Sequence, residues 1–82
     1  MILTKVDISS KITELVSKSL NIEQPNIEAT FEELGADSLD MIEMIMKIEE
    51  LFEIEITDDD AEKITNINYA IEYVCQIRNL KS

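Results

Sequence analysis

The stretch Leu34-Gly35-Ala36-Asp37-Ser38-Leu39-Asp40 joins a turn to the start of a helix. Gly35 is the only glycine in the chain, and glycine turns the backbone through positive φ without a Cβ clash, so a sharp turn is predicted there. Asp37 precedes an apolar run and is a favourable N-cap, while Asp40 suits the positive end of the helix dipole. Ser38 then becomes the first helical residue, with its hydroxyl exposed. The alternative is that Asp37 and Ser38 are a doubled capping signal with no further role.

The helix after Ser38 is predicted to run to about Phe52 and to carry two apolar sectors. At about 100° per residue, one sector faces the core and holds Met41, Met44, Ile45, Ile48, Leu51 and Phe52. The second sector holds Leu39, Ile42 and Met46, and its acidic surroundings are Asp40, Glu43, Glu49, Glu50 and Glu53. Either a neighbouring helix covers this second sector, or the sector is a docking surface, where methionine suits adaptable contacts with several partners.

A first helix is predicted from apolar residues that share one face, and it should begin between Thr4 and Asp7 and close at Asn21. Its inward residues are Ile8, Ile12, Leu15, Val16 and Leu20. Residues 21–37 contain Pro25 and lack a period, so they are interpreted as a long ordered loop. The residues expected to anchor this loop are Ile22, Ile27, Phe31 and Leu34. A loop of this length in a small domain is usually functional, and here it leads to Ser38.

The last third of the chain predicts an extended connection, a short helix and a longer one. Ile54 and Ile56 lie in the connection, and Thr57 with Asp60 forms a capping box that opens a short helix over Asp60 to Ile64. Asn66 or Asn68 caps the final helix, whose inward residues are Ile67, Ala70, Ile71, Val74, Ile77 and Leu80. The predicted fold is therefore all-α, a small four-helix bundle of three longer helices and one short one, forming one domain over residues 1–82.

The motif around Ser38, with Met41-Ile42-Glu43 and the acidic helix after it, resembles the 4′-phosphopantetheine attachment site of acyl carrier proteins. The resemblance extends from about Phe31 to Val74 and includes the segments Ile54-Glu55-Ile56, Asp60-Ala61-Glu62-Lys63-Ile64-Thr65 and Ala70-Ile71-Glu72-Tyr73. It looks most like the free-standing carriers of bacterial fatty-acid synthesis. Those carriers usually have Phe four residues before the Leu of Leu-Gly and Asp just before that Leu. Here Phe31 lies three residues before Leu34, and Glu33 replaces the Asp. This shorter spacing between Phe and Leu is more similar to carrier domains of peptide synthesis.

The resemblance implies a function and a set of site residues. Ser38 would carry 4′-phosphopantetheine from coenzyme A, Asp37 would flank it for recognition by a phosphopantetheinyl transferase, and the arm's thiol would hold acyl chains as thioesters. The implied docking residues for basic patches on fatty-acid synthesis enzymes are Leu39, Asp40, Ile42, Glu43, Met46, Glu49 and Glu50. A core that could part around an acyl chain is expected from Met41, Met44, Ile45, Ile48, Ile56, Ala61, Ile64 and Ala70.

Composition narrows the classes of partner. The chain has 82 residues, and 18 Asp plus Glu against 7 Lys plus Arg give a formal net charge of −11, which disfavours nucleic acid and anionic membranes. On composition alone, this charge either attracts partners with basic patches or only confers solubility. A single cysteine forms no intramolecular disulfide and suits a reducing compartment. The N-terminus lacks the features of a secretory signal, and no apolar stretch approaches a membrane span. We expect a monomer in the cytoplasm.

The residues argue against catalysis by the polypeptide itself. The chain has no histidine, and Ser38 has only acidic near neighbours, which form no recognisable nucleophilic triad. Two rival interpretations stay open. The first is a small acidic metal-binding protein that uses Asp58-Asp59-Asp60, although a calcium loop would need spaced oxygens around a glycine turn, and no metal site is predicted. The second is an adaptor that uses the sector of Leu39, Ile42 and Met46 for one partner.

Overall fold

Four helices account for the regular secondary structure of residues 4–78, the part of the chain that the computed structural model describes. They are α1 (Lys5–Leu20), α2 (Ser38–Phe52), α3 (Asp58–Lys63) and α4 (Ile67–Ile77). α1 packs most extensively against α4 and next against α2. The predicted bundle of three longer helices and one short helix is confirmed. None of the helices in this region is long and apolar enough to cross a bilayer.

The ends of α1 show how local sequence sets the helix boundaries. The Thr4 hydroxyl accepts a hydrogen bond from the Asp7 amide at 3.2 Å, and the Asp7 carboxylate accepts one from the Thr4 amide at 3.1 Å. This reciprocal pair satisfies two amides that a helix start leaves without intrahelical partners. Asn21 ends the helix with φ of 58°, a left-handed conformation that asparagine tolerates better than most residues. Both predicted ends of α1 are confirmed.

The core is made almost wholly of aliphatic side chains drawn from every helix but α3. No buried polar or charged residue occurs between residues 4 and 78. The buried hydrophobic residues of the core are Ile8, Ile12, Val16, Phe31, Met44, Ile48, Phe52, Ile56, Ile64, Ile67, Ala70, Ile71 and Val74. Met41 and Ile45 are partly buried against this core. Because the core is small, its stability depends on close packing and not on a disulfide, which one cysteine does not allow.

Three predicted inward positions are wrong. Leu51 is 45% exposed because it lies at the edge of the core arc of α2, about 60° around the helix from Ile48. Ile77 is 42% exposed because it belongs to the last turn of α4, beyond the buried Val74. Ile27 is 39% exposed, so its side chain does not anchor the loop. The predicted inward Leu80 lies outside the described residues.

The loop of residues 21–37 is held by backbone hydrogen bonds to the junction of α3 and α4. The Phe31 amide donates to the Thr65 carbonyl at 2.9 Å, and the Asn68 amide donates to the Ile27 carbonyl at 3.1 Å. The Phe31 side chain is 3% exposed, so it packs in the core at its shortened distance from Leu34. Asn66, and not Asn68, is the N-cap of α4, accepting from the Tyr69 amide at 2.7 Å.

α3 differs from its prediction in its start and in its cap. It begins at Asp58, two residues earlier than expected, and ends at Lys63. The Thr57 hydroxyl accepts from the Asp60 amide at 3.1 Å, which is half of the predicted capping box. The Asp60 carboxylate instead accepts from the Tyr73 hydroxyl at 2.7 Å, so it bonds to α4 and not to its own helix start. α3 has no buried residue and is flanked by the buried Ile56 and Ile64.

Candidate functional site

The start of α2 is built by two aspartates that cap each other. The Asp37 carboxylate accepts from the Asp40 amide at 2.9 Å, and the Asp40 carboxylate accepts from the Asp37 amide at 3.2 Å. The Met41 amide donates to the Asp37 carbonyl at 3.0 Å, which begins the helical hydrogen-bond pattern. The prediction that Asp37 is the N-cap is confirmed, and the reciprocal role of Asp40 was not foreseen. Ser38 therefore stands at the first helical position without serving as the cap.

The Ser38 side chain is exposed and forms no hydrogen bond within residues 4–78. Its hydroxyl has no hydrogen-bond partner among residues 4–78, although the neighbouring aspartates are both engaged. Within the same region, the backbone amides of Ser38 and Leu39 also lack a protein acceptor. Two free amides at the N-terminus of a helix, where the helix dipole is positive, favour an anionic group. The interpretation of Asp37 and Ser38 as a doubled cap is not supported, since Asp37 alone accepts from the helix.

The turn before α2 aims the chain at this helix start. Gly35 has φ of 97°, in the region that glycine reaches at little cost, as the sequence predicted. Just before it, the Glu33 carboxylate accepts from the Thr30 amide at 2.8 Å, and the Thr30 hydroxyl accepts from the Glu33 amide at 3.0 Å. Glu33, the residue that departs from the fatty-acid carrier pattern, thus holds the turn that leads to Gly35.

An open groove of about 1200 Å³ begins beside Ser38 and runs between α2 and α3. Clefts that bind small molecules commonly measure about 300–1,000 Å³, so the space is large enough for an extended chain. Its apolar floor and walls are formed by Phe31, Ala36, Met41, Ile45, Ile56, Ala61 and Ile64. Acidic side chains, Glu32, Glu33, Glu49 and Glu62 among them, also line it. Ser38 and the groove are therefore parts of one surface.

The second apolar sector of α2 is exposed. Leu39, Ile42 and Met46 have exposed fractions of 63%, 57% and 54%, so no helix of the described region covers them. Ile42 and Met46 also lie on the edge of the groove, which makes this sector continuous with the groove. Large apolar side chains that are exposed together, and rimmed by acids, are typical of an interaction surface.

The acidic residues predicted for docking fall into two groups. Glu43 and Glu50 are exposed and form no hydrogen bond within residues 4–78. Asp40 and Glu49 are partly buried and bonded to backbone amides, Asp40 to Asp37 at 3.2 Å and Glu49 to Ile56 at 2.8 Å. The first group is free to meet a partner's charges, while the second group has a structural role.

Negative charge is concentrated around the site. Residues 32–63 contain thirteen acidic side chains and two lysines. In the described region, the two ion pairs join Lys5 to Glu72 at 2.8 Å and Lys18 to Glu14 at 3.0 Å, both outside this segment. The acidity of the segment is thus not neutralised by ion pairs, and its field should attract basic surfaces from a distance.

Two other chemistry-bearing features do not form a site in the described region. Burial raises the pKa of the Cys75 thiol, so the neutral form dominates near pH 7 and the side chain is a poor nucleophile. Asp60 in the acidic run is bonded to Tyr73, and no cluster of three or more potential metal-ligating side chains occurs between residues 4 and 78.

These features define the class of the protein as a helical carrier, in which the polypeptide presents a side chain and an attached group supplies the chemistry. The chain belongs to the family described as phosphopantetheine attachment site, whose model matches residues 10–74, well over half of its length. The prosthetic group of this family is 4′-phosphopantetheine. The chain is a non-catalytic carrier that interacts with a phosphopantetheinyl transferase and with partner enzymes.

The capping geometry predicts unequal effects of two neighbouring substitutions on stability. Asp37→Ala should lower the free energy of unfolding by about 0.5–2 kcal/mol, because it removes the N-cap acceptor. Ser38→Ala should change it by less than about 0.5 kcal/mol, because its hydroxyl has no partner. Urea unfolding of both variants at pH 7 measures the difference. A loss in Ser38→Ala as large as that in Asp37→Ala would contradict the assignment of the cap.

The bond between α3 and α4 predicts a response to high pH. Burial, followed by the hydrogen bond to Asp60, raises the pKa of Tyr73 from 10.0 to about 12. The contribution of this shift to the free energy of unfolding is therefore complete below pH 10 and is lost as the pH rises toward 12, since Tyr73 ionises first in the unfolded chain. Tyr73→Phe should lose less stability than wild type over that interval. Tyr69→Phe, at a 41% exposed position, is the control, and identical pH profiles for the Tyr73 variant and wild type would contradict the shift.

Proposed function

We propose that Ser38 is the attachment point of 4′-phosphopantetheine and that the chain carries acyl groups as thioesters on the arm. The observation that supports this most directly is the Ser38 hydroxyl, which is exposed, unpartnered in residues 4–78 and held at the start of α2 by a cap that does not use it. A serine in such a position is accessible to a transferase. Asp37, which flanks it, would be read by the same enzyme.

The residues around Ser38 fit a phosphodiester. The free amides of Ser38 and Leu39 would donate to its anionic oxygens, and the helix dipole would stabilise its charge. Asp37 and Asp40 oppose this, but their carboxylates already accept hydrogen bonds from each other's amides. The phosphate would therefore be bound weakly by the protein and held mainly by its covalent bond.

Attachment is a displacement at phosphorus. The Ser38 oxygen forms a bond to the phosphorus on the pantetheine side of the pyrophosphate of coenzyme A, and the bond between that phosphorus and the oxygen bridging the two phosphorus atoms breaks. Adenosine 3′,5′-bisphosphate leaves, and the serine proton passes to a base of the transferase. When bound, the arm supplies a flexible thiol that forms thioesters. The thiol of the arm is needed because the Cys75 thiol of the polypeptide is partly buried and its pKa is raised, which makes it a poor nucleophile.

The groove between α2 and α3 is the proposed shelter for the acyl chain. Of the eight residues predicted for this purpose, five line the groove: Met41, Ile45, Ile56, Ala61 and Ile64. The other three, Met44, Ile48 and Ala70, belong to the core and do not line the groove. An acyl chain entering from Ser38 would bury apolar surface, which stabilises by about 25 cal/mol per Å².

The pathway that we propose is fatty acid biosynthesis by free-standing enzymes, with the chain acting as one monomeric carrier domain over residues 1–82 in the cytoplasm. The resemblance of the Ser38 motif and of the acidic α2 supports this assignment. A carrier of another acyl or aminoacyl pathway is the alternative, favoured by the short Phe31 to Leu34 spacing. Calorimetric titration of the unmodified protein with Ca²⁺ tests the metal-binding rival.

We propose that the docking surface for partner enzymes is the exposed face of α2, which has an apolar centre of Leu39, Ile42 and Met46. Glu43 and Glu50 stand on its rim, where both are exposed and neither forms an ion pair within residues 4–78. Asp40 and Glu49 contribute charge to the same face although their carboxylates are engaged. Partner enzymes with basic patches match the field of this segment, and the apolar centre would be buried on contact.

Modification of Ser38 is the first test of this function. Incubation of the purified protein with coenzyme A, Mg²⁺ and a phosphopantetheinyl transferase should add the mass of one phosphopantetheine group. Ser38→Ala should remain unmodified, while Ser19→Ala, which changes a serine of α1, should be modified like wild type. Intact mass and peptide mapping measure the result. Unchanged mass in the wild-type protein, or modification of Ser38→Ala, would overturn the assignment.

Charge and apolar contacts on α2 should affect docking differently. Reversal of Glu43 and Glu50 to Lys should slow association with a basic partner and weaken its salt dependence, because exposed charges act mainly on encounter. Ile42→Ala or Met46→Ala should speed dissociation, because buried apolar anchors hold a formed complex. Stopped-flow or surface-binding kinetics at several ionic strengths separate the two effects.

Controls for docking come from exposed positions away from α2. Reversal of Glu23 and Glu28 to Lys changes the net charge equally but lies in the loop, so it should slow association less. Val6→Ala removes a 73% exposed apolar side chain from α1 and should leave dissociation unchanged. Equal effects of the two charge reversals would show that net charge alone, and not this face, guides the partner.

A further inference from the structure

One side-chain hydrogen bond crosses the groove. The Glu49 carboxylate on α2 accepts from the Ile56 amide at 2.8 Å, and both residues line the groove from opposite sides. Among residues 4–78, no other side-chain hydrogen bond joins α2 to the facing segment of residues 56–65. Glu49 is partly buried, unlike the adjacent Glu50, which is exposed and unpaired in the same region.

The bond lies at the end of the groove far from Ser38. Glu49 is eleven residues after Ser38 on the same helix, which places it about 16 Å farther along the axis. It is also the last residue of α2 that lines the groove. An extended chain that entered beside Ser38 and followed α2 would therefore meet the Glu49 to Ile56 bridge at the distal end.

The segment of residues 56–65 forms the wall of the groove opposite α2, and hydrogen bonds help to hold it in position. α3 has no fully buried residue, and within it the partly buried Ala61 alone supplies apolar packing against the core. Its neighbours Ile56 and Ile64 are buried, and Asp60 is bonded to Tyr73 at 2.7 Å. The Tyr73 bond secures α3 from behind, on the side of α4. The hydrogen bond to Glu49 holds the start of this wall, at the Ile56 backbone, to α2, in addition to the burial of the Ile56 side chain.

We propose that Glu49 is a positioning residue that closes the distal end of the groove and thereby limits the length of the apolar chain that the groove holds. Its carboxylate acts through the Ile56 amide and does not have to touch the chain. This inference rests on the proposed carrier function, and it gives Glu49 a role different from that of its neighbour Glu50 on the docking rim.

The bridge itself is tested on the unmodified protein by amide hydrogen exchange. Glu49→Ala should speed exchange at the Ile56 amide by about tenfold or more relative to wild type, as expected for loss of one charge-assisted hydrogen bond. Glu49→Gln should restore slow exchange, because its amide oxygen can still accept. Glu50→Ala is the matched control and should resemble wild type. Exchange at Val16, in the core, reports any global loss of stability.

The length limit is tested on protein loaded at Ser38 with straight acyl chains of increasing length. The rise in melting temperature caused by the acyl chain should increase with acyl-chain length and level off in wild type, Glu50→Ala and Glu49→Gln. In Glu49→Ala the plateau should move to longer chains. An unchanged plateau in Glu49→Ala, or a Glu49→Gln variant that behaves like Glu49→Ala in both experiments, would overturn the inference.

The two experiments distinguish failure of this inference from failure of the proposed function. If Ser38 accepts no arm, the mass measurement overturns the carrier assignment, while the exchange comparison still decides whether Glu49 holds Ile56. If loading succeeds and Ile56 exchanges equally in Glu49→Ala and Glu50→Ala, the carrier function stands and the role of Glu49 is wrong.

Discussion

The reciprocal cap between Asp37 and Asp40 is the interaction on which the site depends. Because each carboxylate bonds to the other residue's amide, the start of α2 is satisfied without Ser38. Serine at a helix start would otherwise be a capping residue itself, with its hydroxyl turned toward the helix. Assigning the cap to aspartate leaves the serine exposed at a position where the helix dipole favours an attached anion. The turn at Gly35 and the loop bonds at Phe31 then fix where this helix starts.

Sequence reasoning predicted the features that depend on residues near one another in the chain. Helix periods located α1, α2 and α4, and capping preferences predicted the roles of Asn21 and Asp37. The errors arose where neighbouring elements decide the outcome. Leu51 fits the helical period of the core, but no element of the described region covers that edge of α2. Asp60 fits a capping box, but the Tyr73 hydroxyl, thirteen residues away, binds its carboxylate instead. No local signal in the sequence announces that pairing.

The candidate site was predictable in the same unequal way. Ser38, its cap and the exposed sector of α2 follow from a motif and a helical period. The groove does not, because it is the space left between α2 and a segment some twenty residues later in the chain. Glu49 illustrates the difference: by period it belongs to the acidic rim, yet its carboxylate turns to the Ile56 amide. The proposed role of Glu49 therefore rests on a contact that the helical period does not reveal.

The contrast between the core and the groove explains how one small domain can be both stable and adaptable. α1 packs against α4 and α2 through buried aliphatic side chains, and hydrophobic burial is the dominant stabilising term in folding. α3 adds no fully buried residue, although Ile56 and Ile64, which flank it, are buried. Between those two residues the segment is held by the partly buried Ala61 and by the hydrogen bond from Tyr73 to Asp60, and a single hydrogen bond contributes only about 0.5–3 kcal/mol. Under the proposed carrier function, α3 would be the part of the groove that moves for an acyl chain entering beside Ser38, while the contacts of α1, α2 and α4 stay packed.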